Sequence, residues 1–340
     1  LNKAARNHIL IRDTSALEQM RNVDVVVFDK TGTLTEGHPT VIGWLWAQGQ
    51  EEHYKDVLLA AESTSDHPLA EAIVTALEGE EQVIPAHLDG FENITGKGVR
   101  VAYQGAEYWV GSHKLLKDYQ ANLSDILADM LTQYESDGNS IVYFGRENDL
   151  LAVIAIKDQL RVTSMEAIRE LRIQDIEICM LTGDGERTAS SVAGSLGIMR
   201  FVADAMPDDK EDFIHKLQLQ GKTVAMVGDG VNDAQALSCA DVSIAMGKGT
   251  DTLMDTAMIT LRTSDLLLLP KVFRLSRQTV SLMYRNLFWA FIYNTVGIFV
   301  AAGVLYPVYD ILLSPALAGA AMALSCVSVA LSSLRLSSRF

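Results

Sequence analysis

The stretch VVVFDKTGTLTEG, residues 25–37, runs an apolar segment into Asp29 and then into a loop of lysine, glycine and hydroxylated residues. Two further apolar runs end in the same way. Residues 176–181 open into Thr182-Gly183-Asp184, and residues 222–227 into Gly228-Asp229-Gly230-Val231-Asn232-Asp233. In a parallel sheet the carboxyl ends of such strands converge on one crevice, the usual ligand site. Asp29, Asp229 and Asp233 gathered there repel one another unless a cation sits among them. Their hard oxygen donors point to magnesium, held by a few carboxylates plus phosphate. Thr182 offers a hydroxyl, and Lys210 a point charge, to phosphoryl oxygens. One carboxylate is then free to act as a nucleophile and form an acyl phosphate; Asp29, aimed off the end of a buried strand, is that candidate. A lone GDG or TGD is usually a turn. DKTGTLT followed in order by TGD, a lysine and GDGVND is far more specific.

The elements that must position these residues follow from the hydrophobic pattern. Residues 23–28 read as a buried strand, and 54–62 and 68–78 as helices. Short alternating runs at 83–86, 98–103, 107–110, 140–145 and 150–156, with helices near 112–118 and 122–136, predict an antiparallel sheet carrying helices. From 157 the rhythm becomes strand and helix: helix 163–172, strand 176–181, helices 186–196 and 207–220, strand 222–227, helix 232–239, strand 241–245 and helix 250–256. This predicts an α/β fold with a doubly wound parallel sheet. Strand 23–28 belongs to that sheet by character, so 40–152 is an inserted α+β domain. The parallel-sheet domain is then split into 21–39 and 153–265.

The chain has 340 residues, room for more than one domain. A formal net charge of −15 argues against a nucleic-acid surface. Cys179, Cys239 and Cys326 are too scattered for a disulfide framework or a paired-cysteine zinc site. His53, His87 and His215 show no ligand spacing and read as ordinary surface residues. Residues 286–309 and 311–334 carry no charged side chain and each exceeds the ~20 residues of a membrane-spanning helix. Basic residues before the first run (Lys271, Arg274, Arg277, Arg285) and after the second (Arg335, Arg339) place both ends in the cytoplasm. A buried hairpin inside a soluble fold is the plainer alternative. The chain opens at Leu1 without a leader and reads as a piece of something longer.

DKTGTLT, MLTGD, MPDDK and GDGVND resemble the phosphorylation-domain signature of P-type cation-transporting ATPases, in the haloacid-dehalogenase superfamily. The resemblance implies a haloacid-dehalogenase-like phosphorylation domain with Asp29 as the phosphorylated residue, within the motif Asp29-Lys30-Thr31. Asp229 and the Thr31 carbonyl would bind magnesium (Mg2+), supported by Asp233. Thr182, in the motif Thr182-Gly183-Asp184, and Lys210 would hold the phosphoryl group. Thr31 stands where phosphatases of the superfamily carry a second aspartate as general acid and base. Its absence should let a phosphoenzyme persist, as a pump requires.

Within the insertion, Glu62, Ser65-Asp66-His67-Pro68 and Gly96-Lys97-Gly98 stand out. A neutral imidazole can stack on or hydrogen-bond adenine, and glycine lets backbone approach a ligand. By themselves, His67-Pro68 reads equally as a helix start and GKG as a hairpin turn. Heavy-metal (type IB) P-type ATPases carry a similar Ser-Glu-His-Pro motif and a Gly-x-Gly in their nucleotide domain. That likeness assigns Glu62, His67, Pro68, Gly96 and Gly98 to ATP.

In the carboxy-terminal runs, Met322, Ser325 and Cys326 share one helical face. Thioether and thiol are soft ligands suited to Cu(I), although helix packing uses the same small residues. The set Asn286, Tyr293, Asn294 with Met322, Ser325, Cys326 resembles copper(I) pumps, with silver(I) as a mimic of the ion. The aspartate of zinc, cadmium and lead pumps and the His-Glu-Gly of cobalt pumps are not present. Departures include Cys326 for a serine, Phe299 for a proline, Gly185 for an asparagine, Gln235 for a proline and Ser332 for an asparagine.

The resemblance covers essentially all 340 residues. It implies a stalk over 1–20, another over 266–285 and transmembrane helices over 286–309 and 311–334. The protein would be integral to a membrane, the bacterial inner membrane, with its catalytic domains cytoplasmic. A Cys-Pro-Cys helix and an actuator domain would lie upstream, and a cytosolic chaperone would deliver copper. The rival readings are a divalent-metal pump and a soluble phosphatase with a hydrophobic hairpin.

Overall fold

The computed structural model describes residues 8–47, 51–65, 67–80, 82–121, 125–228, 233–247, 257–302, 319, 327 and 329. In chain order the strands are β1 (Ile9–Ile11), β2 (Val25–Asp29), β3 (Thr40–Trp46), β4 (Gly90–Ile94), β5 (Gly98–Tyr103), β6 (Ala106–Gly111), β7 (Ser140–Arg146), β8 (Asp149–Lys157), β9 (Glu177–Leu181), β10 (Arg200–Val202), β11 (Val224–Gly228), β12 (Val242–Met246) and β13 (Ile259–Leu261). They form a seven-stranded sheet, ordered β1-β13-β12-β11-β2-β9-β10, and a six-stranded one, ordered β3-β8-β7-β6-β5-β4.

The first sheet is parallel except for β1 at its edge. Its centre explains the run of valines. β2 lies between β11 and β9, with helices against both faces, so alternation of polarity disappears. Val26 and Phe28 enter one core with Ile168 and Leu171 of helix Ser164–Ile173. Val25 and Val27 enter the opposite core with Ile214 and Leu217 of helix Pro207–Leu219. All four β2 side chains are completely buried.

The second sheet is antiparallel. One face carries helices Glu51–Glu62 and Pro68–Glu78, through Leu58, Ile73 and Leu77. The other carries helices His113–Asp118 and Asp125–Ser136, around Trp109 and Leu131. The chain enters this sheet by β3 and leaves by β8, and these two strands pair with each other. An entire sheet can therefore be inserted between β2 and β9 without disturbing the first.

The predicted strand 83–86 is not formed. Pro85 lacks an amide donor and cannot serve a ladder. Instead Asp56 accepts from the Ile84 N–H through its side chain and from the Ala86 N–H through its carbonyl, both at 3.0 Å. Strands β1, β3, β4, β10 and β13 were not anticipated. β1, β10 and β13 are three residues long, and β4 is largely exposed, so each carries little hydrophobic pattern. The predicted helix 250–256 lies outside the described residues.

Helix Leu268–Ala301 is continuous over 34 residues and joins the predicted stalk 266–285 to the first charge-free run. Its amino-terminal half is anchored: Val272, Phe273, Ser276 and Val280 are buried, and Ser276 Oγ donates to the Leu17 carbonyl. Beyond Leu282 it exposes Leu287, Phe288, Phe291, Val296, Ile298 and Phe299. Among the described residues no helix is long and apolar enough to cross a membrane. The described apolar part, 286–302, is shorter than the ~20 residues a span needs. Nearly all of the second run, 311–334, lies outside the described residues.

Phe28→Ala removes a ring from the most enclosed strand. It should lower unfolding stability by about 3–5 kcal/mol, read as a shift of the urea midpoint with unchanged slope.

Candidate active site

The parallel register brings the loops together. Asp29 lies opposite Leu181, and Phe28 opposite Val227, so Asp29, Thr182 and Gly228 stand together at the carboxyl ends of their strands. Asp29 is the last residue of β2 and is 7% exposed. Lys210 reaches it from the first turn of helix Pro207–Leu219. That helix starts where Met-Pro-Asp-Asp predicts: Pro207 fits a first helical position, and Asp209 Oδ2 accepts the Met206 N–H at 2.9 Å. Lys210 Nζ then donates to Asp29 Oδ1 at 2.6 Å and to Asp233 Oδ1 at 2.7 Å. Burial alone would lower the Lys210 pKa, but the two carboxylates outweigh it and raise it, so the ammonium stays charged.

Lys30 turns the other way. Its ammonium pairs with Asp184 Oδ2 and donates to Ser140 Oγ at 2.9 Å. Thr182 Oγ1 donates to Asp184 Oδ2 at 3.0 Å and accepts the Asp184 N–H at 3.1 Å, which folds Thr182-Gly183-Asp184 into a tight hook. Burial would raise the Asp184 pKa; Lys30 and the hydrogen bonds prevail and lower it. Among the described residues the site thus gathers the carboxylates of Asp29, Asp184 and Asp233 around the ammoniums of Lys30 and Lys210, three negative charges against two positive. Asp229 lies outside the described residues.

The loop after Asp29 is a wide turn closed by the Thr35 N–H donating to the Lys30 carbonyl at 3.2 Å. Gly32 adopts φ 73°, which favours glycine. Thr31 is partly exposed, and its ψ of 128° is extended. Sequence reasoning missed the segment that holds this turn. Thr35 Oγ1 accepts the Gly32 N–H at 2.9 Å and donates to Asp158 Oδ2 at 2.5 Å, while Asp158 Oδ1 accepts the Gly37 N–H at 3.1 Å. Arg161 donates through Nε to the Thr33 carbonyl at 3.0 Å and through Nη2 to the Gly32 carbonyl. The signal was present as Lys157-Asp158-Gln159-Leu160-Arg161, a charged cluster directly after the apolar run of β8.

The insertion's candidates divide. Glu62 is buried at 6% exposure, and burial pushes its carboxyl pKa up to about 8. His67 caps helix Pro68–Glu78: its Nδ1 accepts the Leu69 N–H at 3.2 Å, with Pro68 at the first helical position. Crowding in the cleft lowers the His67 pKa, against the opposing pull of the Asp184 and Asp29 carboxylates. Nδ1 therefore accepts and Nε2 carries the proton. Gly98 has its own structural reason: at φ 142°, an added Cβ would lie 2.6 Å from Gly111 Cα of the paired strand. Gly96, at φ 69°, abuts the other domain, with an added Cβ 3.1 Å from Met206 Cε. Asp66 lies outside the described residues.

The cleft is closed over the strand ends. Besides Lys30 to Ser140, Lys114 Nζ donates to the Asp204 carbonyl and Thr188 Oγ1 to the Asn139 carbonyl at 2.7 Å. Tyr293 and Asn294 lie on the exposed part of helix Leu268–Ala301, Tyr293 stacked on Trp289 with ring centroids 5.7 Å apart. Met322, Ser325 and Cys326 lie outside the described residues.

A parallel sheet with an aspartate at the end of its central strand, a hook on the neighbouring strand and a lysine from the following helix defines a phosphate-handling hydrolase fold. The family model for haloacid dehalogenase-like hydrolases matches residues 23–241. The chain belongs to that family, and the relatives it resembles over nearly its whole length are P-type ATPases. It is 42% identical over 334 residues to a copper-exporting P-type ATPase of Legionella pneumophila, covering 98% of this chain and 45% of that protein. It is 43% identical over 339 residues to a silver exporting P-type ATPase of Salmonella typhimurium, covering 99% and 41%. A zinc-transporting PIB-type ATPase in its E2.Pi state superposes with a TM-score of 0.66 at 35% identity, covering 99% of this chain and 53% of that one. The catalytic domain of the CPx-ATPase CopB-B superposes with a TM-score of 0.66 at 28% identity, covering 80% and 96%. The chain spans less than half the length of the two curated relatives.

Glu62 supplies a pH test. An unfolded carboxyl ionises near 4.5 and the folded one near 8, so its burial penalty is absent below about pH 4.5, grows with pH and is complete above about pH 8. Glu62→Gln should flatten that slope and gain roughly 3–5 kcal/mol at pH 8 over the parent, with no gain at pH 4. Denaturation midpoints at the two pH values check it.

Proposed function

We propose that the chain is the catalytic and carboxy-terminal part of an ATP-driven copper(I) exporter that works through an aspartyl phosphate. The observation that carries this reading is Asp29, held at the end of the central strand by Lys210 beneath the inserted domain. In the proposed cycle a carboxylate oxygen of Asp29 attacks the γ-phosphorus of ATP. The bond from that phosphorus to the bridging oxygen breaks and ADP leaves. Water later attacks the same phosphorus, releasing phosphate and restoring the carboxylate. The Lys210 ammonium holds Asp29 Oδ1 in place and offsets charge on the transferred group. Thr182, Gly183 and Asp184 shape the opposite wall, with Lys30 fixed against Asp184.

Mg2+ fits the donor set, since the carboxylates of Asp29, Asp184 and Asp233 outnumber the ammoniums of Lys30 and Lys210. Asp29, Asp229 and the Thr31 carbonyl would hold it, supported by Asp233, and it would offset charge on the phosphates. Thr33 Oγ1, buried in the same loop with no partner, is polarity that a bound phosphate would satisfy. Thr31 offers no general base two residues after Asp29, so hydrolysis of the acyl phosphate is slow enough for transport to intervene.

The partition is 21–39 with 153–265 for phosphorylation and 40–152 for nucleotide binding. Glu62, His67, Pro68, Gly96 and Gly98 receive ATP when the cleft opens. The exposed apolar half of helix Leu268–Ala301 supports a membrane location, with the catalytic domains on the cytoplasmic side and Tyr293, Asn294, Met322, Ser325 and Cys326 on the ion path. Copper(I), with silver(I) as its mimic, rests on the soft donors Met322 and Cys326 and on the relatives named copper and silver exporters. A zinc pump is the second reading, favoured by the superposition on the zinc-transporting enzyme.

Membranes carrying the intact pump should form an acid-stable, hydroxylamine-labile phosphoprotein from labelled ATP with copper(I) under reducing conditions. Asp29→Asn should abolish the label. Labelling with zinc(II) alone overturns the copper assignment, and labelling that survives Asp29→Asn overturns the nucleophile.

A further inference from the structure

On the flank of the parallel sheet, away from the strand ends, Glu211, His215 and Cys239 come together. One ligand atom from each lies within 4.8 Å of the other two. Glu211 and His215 occupy positions i and i+4 of helix Pro207–Leu219, and Cys239 ends helix Ala234–Cys239. His215 Nε2 is 3.5 Å from Glu211 Oε1, and both side chains are partly exposed. Bonds of ~2.0–2.3 Å around a tetrahedral zinc hold adjacent ligand atoms ~3.3–3.8 Å apart, so small rotamer changes suffice to close the set.

The surroundings orient the histidine for this task. Asp241 Oδ2 and the Cys239 carbonyl can only accept, and both accept from Gln218 Nε2, at 3.2 and 2.9 Å. Asp241 is itself fixed by the Val224 N–H at 2.8 Å. Gln218 must therefore turn Oε1 toward His215 Nδ1, 3.1 Å away, and Nδ1 must be the donor. That leaves the Nε2 lone pair facing Glu211 and Cys239. A histidine whose second nitrogen is held by a hydrogen bond is the usual arrangement of a metal ligand. The Cys239 Sγ lies within 4.8 Å of the Glu211 and His215 ligand atoms, close enough for a cation to bridge all three.

We propose that Glu211, His215 and Cys239 bind one borderline divalent cation of the zinc class, with water as the fourth ligand, at a site separate from both phosphorylation and transport. Binding displaces the thiol proton to solvent and leaves a thiolate–metal bond. The metal would tie together two helices whose amino-terminal ends carry Lys210 and present Asp233. Zinc accepts nitrogen, sulfur and oxygen together, whereas copper(I) would take the sulfur and nitrogen and leave Glu211 aside.

Cobalt(II), as a spectroscopic stand-in for zinc, tests this on the purified, reduced full chain carrying Cys326→Ser, with Mg2+ in excess to occupy the carboxylate cluster at Asp29. One equivalent should bind with a thiolate charge-transfer band and tetrahedral ligand-field bands, and zinc should bleach both. Cys239→Ser should abolish the charge-transfer band. His215→Gln, a change at a half-exposed side chain that leaves the fold intact, should weaken affinity at least ~10-fold, and Gln218→Leu ~10-fold through the lost orientation of the ring. A charge-transfer band that survives Cys239→Ser, or cobalt bound without one, overturns the site. Equal affinity in Glu211→Gln overturns the three-ligand set. None of these readouts depends on ATP or transport.

Discussion

Three carboxylates brought to the end of one sheet cannot stay ionised without cations among them, and the two buried lysines are the cations the chain supplies. Lys210 sits between Asp29 and Asp233, and Lys30 against Asp184. Removing one partner of a buried pair costs about 3–5 kcal/mol, because the other charge is left without solvent or counter-ion. The rest of the domain serves this arrangement. β2 is buried on both faces so that Asp29 cannot swing away. Helix Pro207–Leu219 starts at a proline and a capping aspartate, which sets Lys210 one turn above the sheet. Asp158 and Arg161 occupy the backbone groups of the intervening turn, so Lys30 is delivered to Asp184 and not to Asp29.

The same ion pairs couple the two sheets. Lys30 reaches Asp184 in its own domain and Ser140 in the insertion. Helix Glu186–Leu196 begins immediately beyond Asp184 and meets the insertion through Arg187 to Glu135 at 3.2 Å and Ser191 Oγ to the Ser136 carbonyl at 2.7 Å. These contacts are hydrogen bonds and a surface ion pair, each worth on the order of 1 kcal/mol or less. An interface of that kind opens readily, as the proposed entry and release of a nucleotide would require.

Helix Pro207–Leu219 also separates the strand-end site from the flank of the sheet. The first turn of Pro207–Leu219 faces the strand ends through Lys210. The next turn presents Glu211 and His215 to Cys239 on the flank. Residues one position apart on a helix point about 100° apart, so one element serves two environments without either intruding on the other.

Much was legible in the residue order. Strand periodicity, the charged loops at strand ends and the helix-start signals at His67-Pro68 and Met206-Pro207 are local, and local rules read them: helices 68–78 and 186–196 and strand 98–103 stand where the pattern puts them. Asp29, Thr182 and Lys210 could be named because their types and order are themselves the signal. The three-residue strands β1, β10 and β13 and the exposed β4 left little trace, because a strand that short, or that exposed, shows no hydrophobic periodicity. Which lysine meets which aspartate, the clamp by Asp158 and Arg161, and the meeting of Glu211, His215 and Cys239 were decided only by the tertiary structure. Those partners come from different elements, and sheet order and helix phase, which no single segment encodes, bring them within bonding distance.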